Sequence, residues 1–251
     1  MSGTARSFWP RHQPPRRPAT ADSVRHRRRP SSSAGDYLKA VWEFAGDGTA
    51  STKAIAAKLR VKPASVTNMF ARLHEMGLVG YERYRGAALT EEGRAEALRL
   101  IRCHRLIETF LLERLGYPWQ EVHEAAQKLG NGVLDEEFAE KLAEHLGYPE
   151  RDPYGAAIPA TDRPPVSEQD LPLSEIEAGR RVLISRVRDE DGRMLCYLAE
   201  RGIVPGKRLA MREARAIDGV VTVEDEAGNR YSLGRPVAAS IFVRDPAQSK
   251  D

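Results

Sequence analysis

Residues 61–90 read VKPASVTNMFARLHEMGLVGYERYRGAALT, and this stretch decides how the chain folds. Val66, Met69, Phe70 and Leu73 recur at three- and four-residue spacing, which places them on one face of a helix. Pro63 suits the first turn of that helix, and Gly77 suits its C-terminal cap. The spacing therefore predicts a helix from Pro63 to about Met76. Two short β-type stretches follow on either side of Arg85-Gly86 and predict a hairpin.

Working outward, Val61-Lys62 is a tight turn preceded by a short helix. Ser51 or Thr52 caps that helix, and Ile55, Ala56 and Leu59 face inward. Before it, Tyr37, Leu38, Val41, Trp42 and Phe44 form an apolar stripe on a helix beginning near Asp36 and ending at Gly46-Asp47-Gly48. After the hairpin, Thr90 with Glu91-Glu92-Gly93 opens further helices, through Leu115, over Val122–Leu129 and over Asp135–Leu146. Helix, tight turn, helix and hairpin in that order predict a winged helix-turn-helix over residues 33–98. In such a fold the second helix packs its back on the first and offers its outer face to the major groove. Lys62, Ala64, Ser65, Thr67, Asn68 and Arg72 fall off the apolar stripe and are the candidates for that face. Asn68 suits an adenine edge. Arg83, Tyr84 and Arg85 at the hairpin suit phosphate or minor-groove contact.

Overall charge does not carry this reading. The net charge is +3, but residues 1–30 hold eight arginines and one acid, so the remaining chain is mildly acidic. Residues 1–32, with PRHQPPRRP and RHRRRP, read as a disordered basic tail without an apolar leader. No apolar run suits a membrane helix. Cys103 and Cys196 lie far apart and form no metal knuckle or disulfide framework, which fits a cytoplasmic protein. A phosphate loop, a nucleophile elbow and an HExxH motif are all missing, so no enzyme is expected.

Residues 99–160 are expected to form a helical domain. Six prolines fall between Pro149 and Pro172, and residues 161–175 read as a linker. From there to residue 246 the chain alternates as strands do, most clearly at Val182–Ile184, Leu209–Met211, Val220–Val223 and Ser240–Val243. Arg193–Arg201 reads as one or two helical turns. The expected class is mainly α with a small β-barrel-like domain at the C-terminus.

These segments resemble the diphtheria-toxin-repressor and manganese-transport-regulator family. The resemblance rests on Asp36-Tyr37-Leu38, on Val61–Met69, and on Tyr81–Gly86 with Leu89-Thr90. It extends to His104-Arg105-Leu106 with Glu108, to Asp152-Pro153-Tyr154-Gly155 with Ile158-Pro159, and to Arg201–Gly206, which looks like an SH3-like (FeoA-type) third domain. The resemblance implies a homodimer bound to a palindromic double-stranded DNA operator. It also implies a divalent ion, Mn(II) or Fe(II), as the signal.

His104 and Glu108 are four residues apart on one helix face, and His123 lies on the next helix. Imidazole plus carboxylate suits such ions, and the three positions match the family's ancillary site. Asp189 is the nearest match for a ligand from the third domain. The family's primary site would use Asp36 and the Gln127 region, but this chain reads Gln127-Lys128-Leu129-Gly130-Asn131 where a Glu-His pair is expected. Lys39 also stands where a carboxylate often does. Two other readings stay open: a metal-independent regulator with a decayed primary site, and a winged helix used as a protein-interaction scaffold.

Overall fold

The computed structural model describes residues 30–45, 48–130, 136–160, 170–188, 191–214 and 219–246. The N-terminal unit is built from α1 (Ser32–Ala45), α2 (Thr52–Leu59), α3 (Pro63–Glu75), β1 (Val79–Glu82) and β2 (Gly86–Leu89). α1 starts four residues before Asp36, with the Ser31 hydroxyl accepting from the Ala34 amide at 3.4 Å. Ser51 caps α2 through the Ala54 amide. Arg60 closes α2 in the left-handed region, at φ 53°, and this makes the tight turn into α3. Val66, Phe70 and Leu73 bury one face of α3 against Leu38, Val41 and Ile55. Each such apolar side chain contributes about 1.5–3 kcal/mol when fully buried.

β1 and β2 pair antiparallel from Val79↔Leu89 to Glu82↔Gly86. Ala50 exchanges both backbone hydrogen bonds with Ala87, so the wing is tied to the segment before α2. Tyr81 tilts its ring against Phe70 at 5.5 Å, which fixes the wing relative to α3.

α4 (Glu91–Glu113) is capped by Thr90 and is about 34 Å long at 1.5 Å per residue. Gly93 in its first turn is required by close approach, because a Cβ there would lie 1.8 Å from the Leu78 carbonyl oxygen. α4 joins two cores. Ala97 and Leu100 belong to the N-terminal cluster, whereas Cys103, Leu106, Ile107 and Leu111 belong to the second.

A 3-10 turn at Trp119–Glu121 leads into α5 (Val122–Gly130), followed by α6 (Glu136–Leu146). The C-terminal part contains β3 (Leu171–Pro172), β4 (Arg181–Val187), α7 (Gly192–Glu200), β5 (Arg208–Ala214), β6 (Val221–Asp225), β7 (Arg230–Leu233), the single turn α8 (Arg235–Ala238) and β8 (Ile241–Arg244). Its strands form one antiparallel sheet in the order β3-β8-β4-β5-β6-β7. Among the described residues β3 and β7 remain edges, so the expected barrel is an open sheet. The two-residue β3 is too short to close it.

Leu171–Glu175 differs from the linker expected there. Leu171 and Pro172 pair with Val243 and Phe242, and Leu173 is fully buried. Proline density hid this because an edge strand tolerates a missing amide donor. The buried residues of the helical segment and of the C-terminal sheet form one continuous cluster. Among the described residues no helix is long and apolar enough to cross a membrane.

Candidate functional site

The outer face of α3 is open. Lys62, Ala64, Ser65, Asn68 and Arg72 are exposed, and Thr67 is half-buried with its hydroxyl donating to the Pro63 carbonyl at 3.2 Å. Lys62 sits at the N-cap of α3 and makes no side-chain cap bond there. At the wing tip Tyr84 occupies the left-handed region at φ 72° and is 92% exposed. The Arg83 guanidinium lies 5.2 Å from the Tyr84 ring centroid. Arg85 pairs with Glu82 at 3.0 Å, so this arginine is partly neutralised in the free protein. A helix face and a hairpin tip thus present separate cationic and amide-bearing groups on the same unit.

The second site lies one turn past Leu100 on α4. The i,i+4 spacing brings His104 and Glu108 together, and α5 delivers His123 across the Gly116–Pro118 break. Glu108 is fully buried. Its Oε1 is 3.0 Å from His104 Nε2 and 2.8 Å from His123 Nδ1, and the two ring nitrogens are 3.4 Å apart. Cation ligands at about 2.1 Å from a common centre are about 3.0–3.4 Å from one another in octahedral or tetrahedral shells. The three donors therefore fit a divalent ion of the Mn, Fe or Zn class in chemistry and in spacing. Among the described residues this is the one such group of histidine, cysteine and carboxylate side chains.

Gln127, one turn after His123, reaches His123 Nε2 with its side-chain nitrogen at 2.9 Å. It therefore faces the histidine and is not part of a separate cluster. Asp36 pairs instead with Lys39, at 3.1 Å. Gln127 shares a helix face with His123, and the Lys39 ammonium lies against the Asp36 carboxylate. Asp189 lies outside the described residues. Its neighbour Asp191 caps α7 by accepting from the Arg193 and Met194 amides. Cys103 is buried beside the site, and Cys196 is exposed; neither is in a disulfide.

Sequence reasoning missed the support behind His123. The Tyr154 hydroxyl accepts from the His123 amide and donates to the Trp119 carbonyl, each at 3.0 Å. Trp119 Nε1 donates to the Pro153 carbonyl at 2.8 Å. The available signal was a lone aromatic residue inside a proline-rich stretch.

Three segments match known family models. Residues 31–87 match the N-terminal DNA binding domain of the iron dependent repressor, and residues 90–160 match its metal binding and dimerisation domain. Residues 171–245 match the FeoA domain. The chain is 29% identical over 220 residues to the iron-dependent repressor IdeR of Mycobacterium tuberculosis, covering 82% of this chain and 94% of that protein. It is 30% identical over 181 residues to the diphtheria toxin repressor of Corynebacterium glutamicum, covering 68% and 79%. A solved manganese-dependent transcriptional repressor in complex with manganese superposes with a TM-score of 0.78 at 33% identity, covering 84% of this chain and 99% of that one. With three consecutive domain matches and these identities over most of its length, the chain belongs to the diphtheria toxin repressor and manganese regulator family of metal-dependent transcriptional repressors.

Proposed function

We propose that this protein is a cytoplasmic repressor that binds an operator as a homodimer and is switched by one divalent ion, Mn(II) before Fe(II), held by His104, Glu108 and His123. The observation that carries this reading is the buried Glu108 oxygen, which lies within 3.0 Å of two imidazole nitrogens from two helices. When bound, the ion supplies positive charge that neutralises the carboxylate and favours one arrangement of α4 against α5.

The chain's own residues do the rest. Glu108 and His104 stand on the helix whose first half is packed in the N-terminal core. A preference for one α4–α5 arrangement is therefore a preference for one placement of α3 and the wing. A ligand shifts the population only by its differential affinity for the two arrangements, so donors on two helices are what the switch needs. Lys62, Ser65, Thr67, Asn68 and Arg72 would face the groove, with Ala64 allowing close approach, while Arg83, Tyr84 and Arg85 would hold the backbone. Leu115, Tyr117, Leu129, Phe138 and Tyr148 stay exposed along the helical segment and offer apolar area for a second copy.

Calorimetric titration of Mn(II) into wild type and His104→Ala tests the reading. We expect the variant to lose high-affinity binding, and unchanged stoichiometry and affinity would remove His104 from the site. The Asp36–Lys39 pair favours a second reading, in which an internal ammonium stands in for a metal and DNA binding needs no ion. A gel shift in excess chelator separates the two, because tight operator binding without metal supports the second.

A further inference from the structure

The segment Arg151–Pro159 is more than a connection between the helical part and the C-terminal sheet. Arg102 Nη1 donates to the Pro159 carbonyl at 3.0 Å, and Arg105 Nη1 donates to the Ala157 carbonyl. Arg105 Nε is 3.3 Å from Asp152 Oδ2, and Asp152 Oδ1 accepts from the Tyr154 and Ala156 amides. These bonds anchor the segment to α4 on either side of His104. From the other direction, the Val187 amide of β4 donates to the Tyr154 carbonyl at 2.9 Å. Gly155 lies so close to the same strand that a Cβ on it would be 2.0 Å from the Ser185 carbonyl oxygen.

Tyr154 sits at the centre, 1% exposed. Its phenol oxygen takes the His123 amide and gives its proton to the Trp119 carbonyl, so it spans the 3-10 turn and the first turn of α5. The ring stands edge-on to His123 at 6.4 Å and tilts against Trp119 at 5.2 Å. The backbone of His123 is therefore fixed by a side chain whose own backbone is fixed by the sheet.

We propose that Tyr154 is a positioning residue of the metal centre: through its hydroxyl it sets where His123 stands relative to Glu108, and through its carbonyl it makes that position depend on the docking of β4. Tyr154 touches no metal itself. This inference rests on the reading of His104, Glu108 and His123 as metal ligands. Groups that orient a ligand typically control affinity by about 10–100-fold.

The test uses the full chain and two probes, Mn(II) for affinity and Co(II) for its visible spectrum. Tyr154→Phe removes one oxygen and keeps the ring. The expected result is Mn(II) binding weakened about tenfold, a shifted Co(II) band and faster hydrogen exchange at the His123 amide. Tyr231→Phe is the control. It removes another tyrosine hydroxyl bond, to Asp225 Oδ2 at 3.1 Å on the β7 edge of the sheet, and should leave affinity and spectrum unchanged. Wild-type affinity and spectrum in Tyr154→Phe overturn the proposal, as does an equal loss in Tyr231→Phe. If His104→Ala abolishes Mn(II) binding while Tyr154→Phe does not alter it, only the positioning role fails. If His104→Ala is silent, the ligand reading falls and the positioning role falls with it. Should Tyr154→Phe not fold, Trp119→Phe decides. It loosens the same support by removing the bond to the Pro153 carbonyl, and we expect a two- to fivefold weaker Mn(II) affinity, with wild-type affinity overturning the proposal.

Discussion

Oε1 of Glu108, on α4, lies 2.8 Å from Nδ1 of His123, on α5. With His123 Nδ1 donating to this carboxylate, Nε2 is left to accept from the Gln127 amide at 2.9 Å. A ligating Nδ1 has to give up that proton, and the Gln127 amide then has to turn its oxygen toward Nε2. Glu108→Gln removes the charge and keeps the shape. We expect Mn(II) affinity to fall by about 100-fold or more, beyond the loss from an outer-shell change. Calorimetry measures it, and a loss below threefold would show that Glu108 is a structural carboxylate.

The Asp36–Lys39 pair makes a prediction about stoichiometry. Among the described residues the one histidine–carboxylate cluster is that of His104, Glu108 and His123. Purified protein saturated with Mn(II) and desalted should carry one ion per chain by elemental analysis. Two ions per chain would require a second site that uses residues outside the described set or displaces Lys39.

On α3 and the wing, base and phosphate contacts should separate. Asn68→Ala should weaken operator binding by about 10–100-fold, since a good base-edge contact contributes about 1–3 kcal/mol. Its salt dependence should stay unchanged. Arg83→Ala should weaken binding to any sequence and reduce the slope of log affinity against log salt by about one. Fluorescence anisotropy across a salt series reads both, and the opposite assignment would exchange their roles.

Gly93→Ala tests the junction of wing and α4. The added Cβ would meet the Leu78 carbonyl oxygen at 1.8 Å, so backbone must move. Overpacking of this kind costs about 1–3 kcal/mol or more, which should appear as a lower midpoint in denaturant. Gly80→Ala, with no atom within 4 Å of its Cβ, is the matched control and should differ from wild type by far less.

Asp225 gives a pH dependence. Its carboxylate accepts from Asn229 through side chain and backbone, from Lys207 at 3.0 Å and from the Tyr231 hydroxyl. These bonds hold its pKa far below the ordinary carboxylate range, the Asn229 side-chain bond first. A group with a depressed folded pKa stabilises the protein above its unfolded pKa, about 3.9. That contribution is lost as pH falls through the folded value. Wild type should therefore be more stable than Asp225→Asn at neutral pH, with the difference shrinking below about pH 4. A constant difference from pH 7 to pH 2 would contradict this.

Much of this protein was legible in the sequence because it depends on local periodicity. The stripe Val66, Met69, Phe70 and Leu73 and the punctuation at Pro63 and Gly77 are enough to place α3, since helix geometry is fixed at 3.6 residues per turn. The same geometry puts His104 and Glu108 on one face without knowledge of the rest of the fold. The same spacing puts Gln127 one turn after His123 and Lys39 one turn after Asp36, and both pairs form. What it does not encode is the packing of α5 on α4 that brings His123 to Glu108. Leu171–Glu175 read as linker because its prolines suppress any local signal, whereas pairing with β8 is a long-range event. The central role of Tyr154 depends on contacts 31 and 35 residues away in sequence, with His123 and Trp119. Sequence thus determined most of the elements and one helix face of the His104–Glu108–His123 cluster. Tertiary structure alone decided where His123 stands and what supports it, because those are set by contacts between segments that the local pattern does not encode.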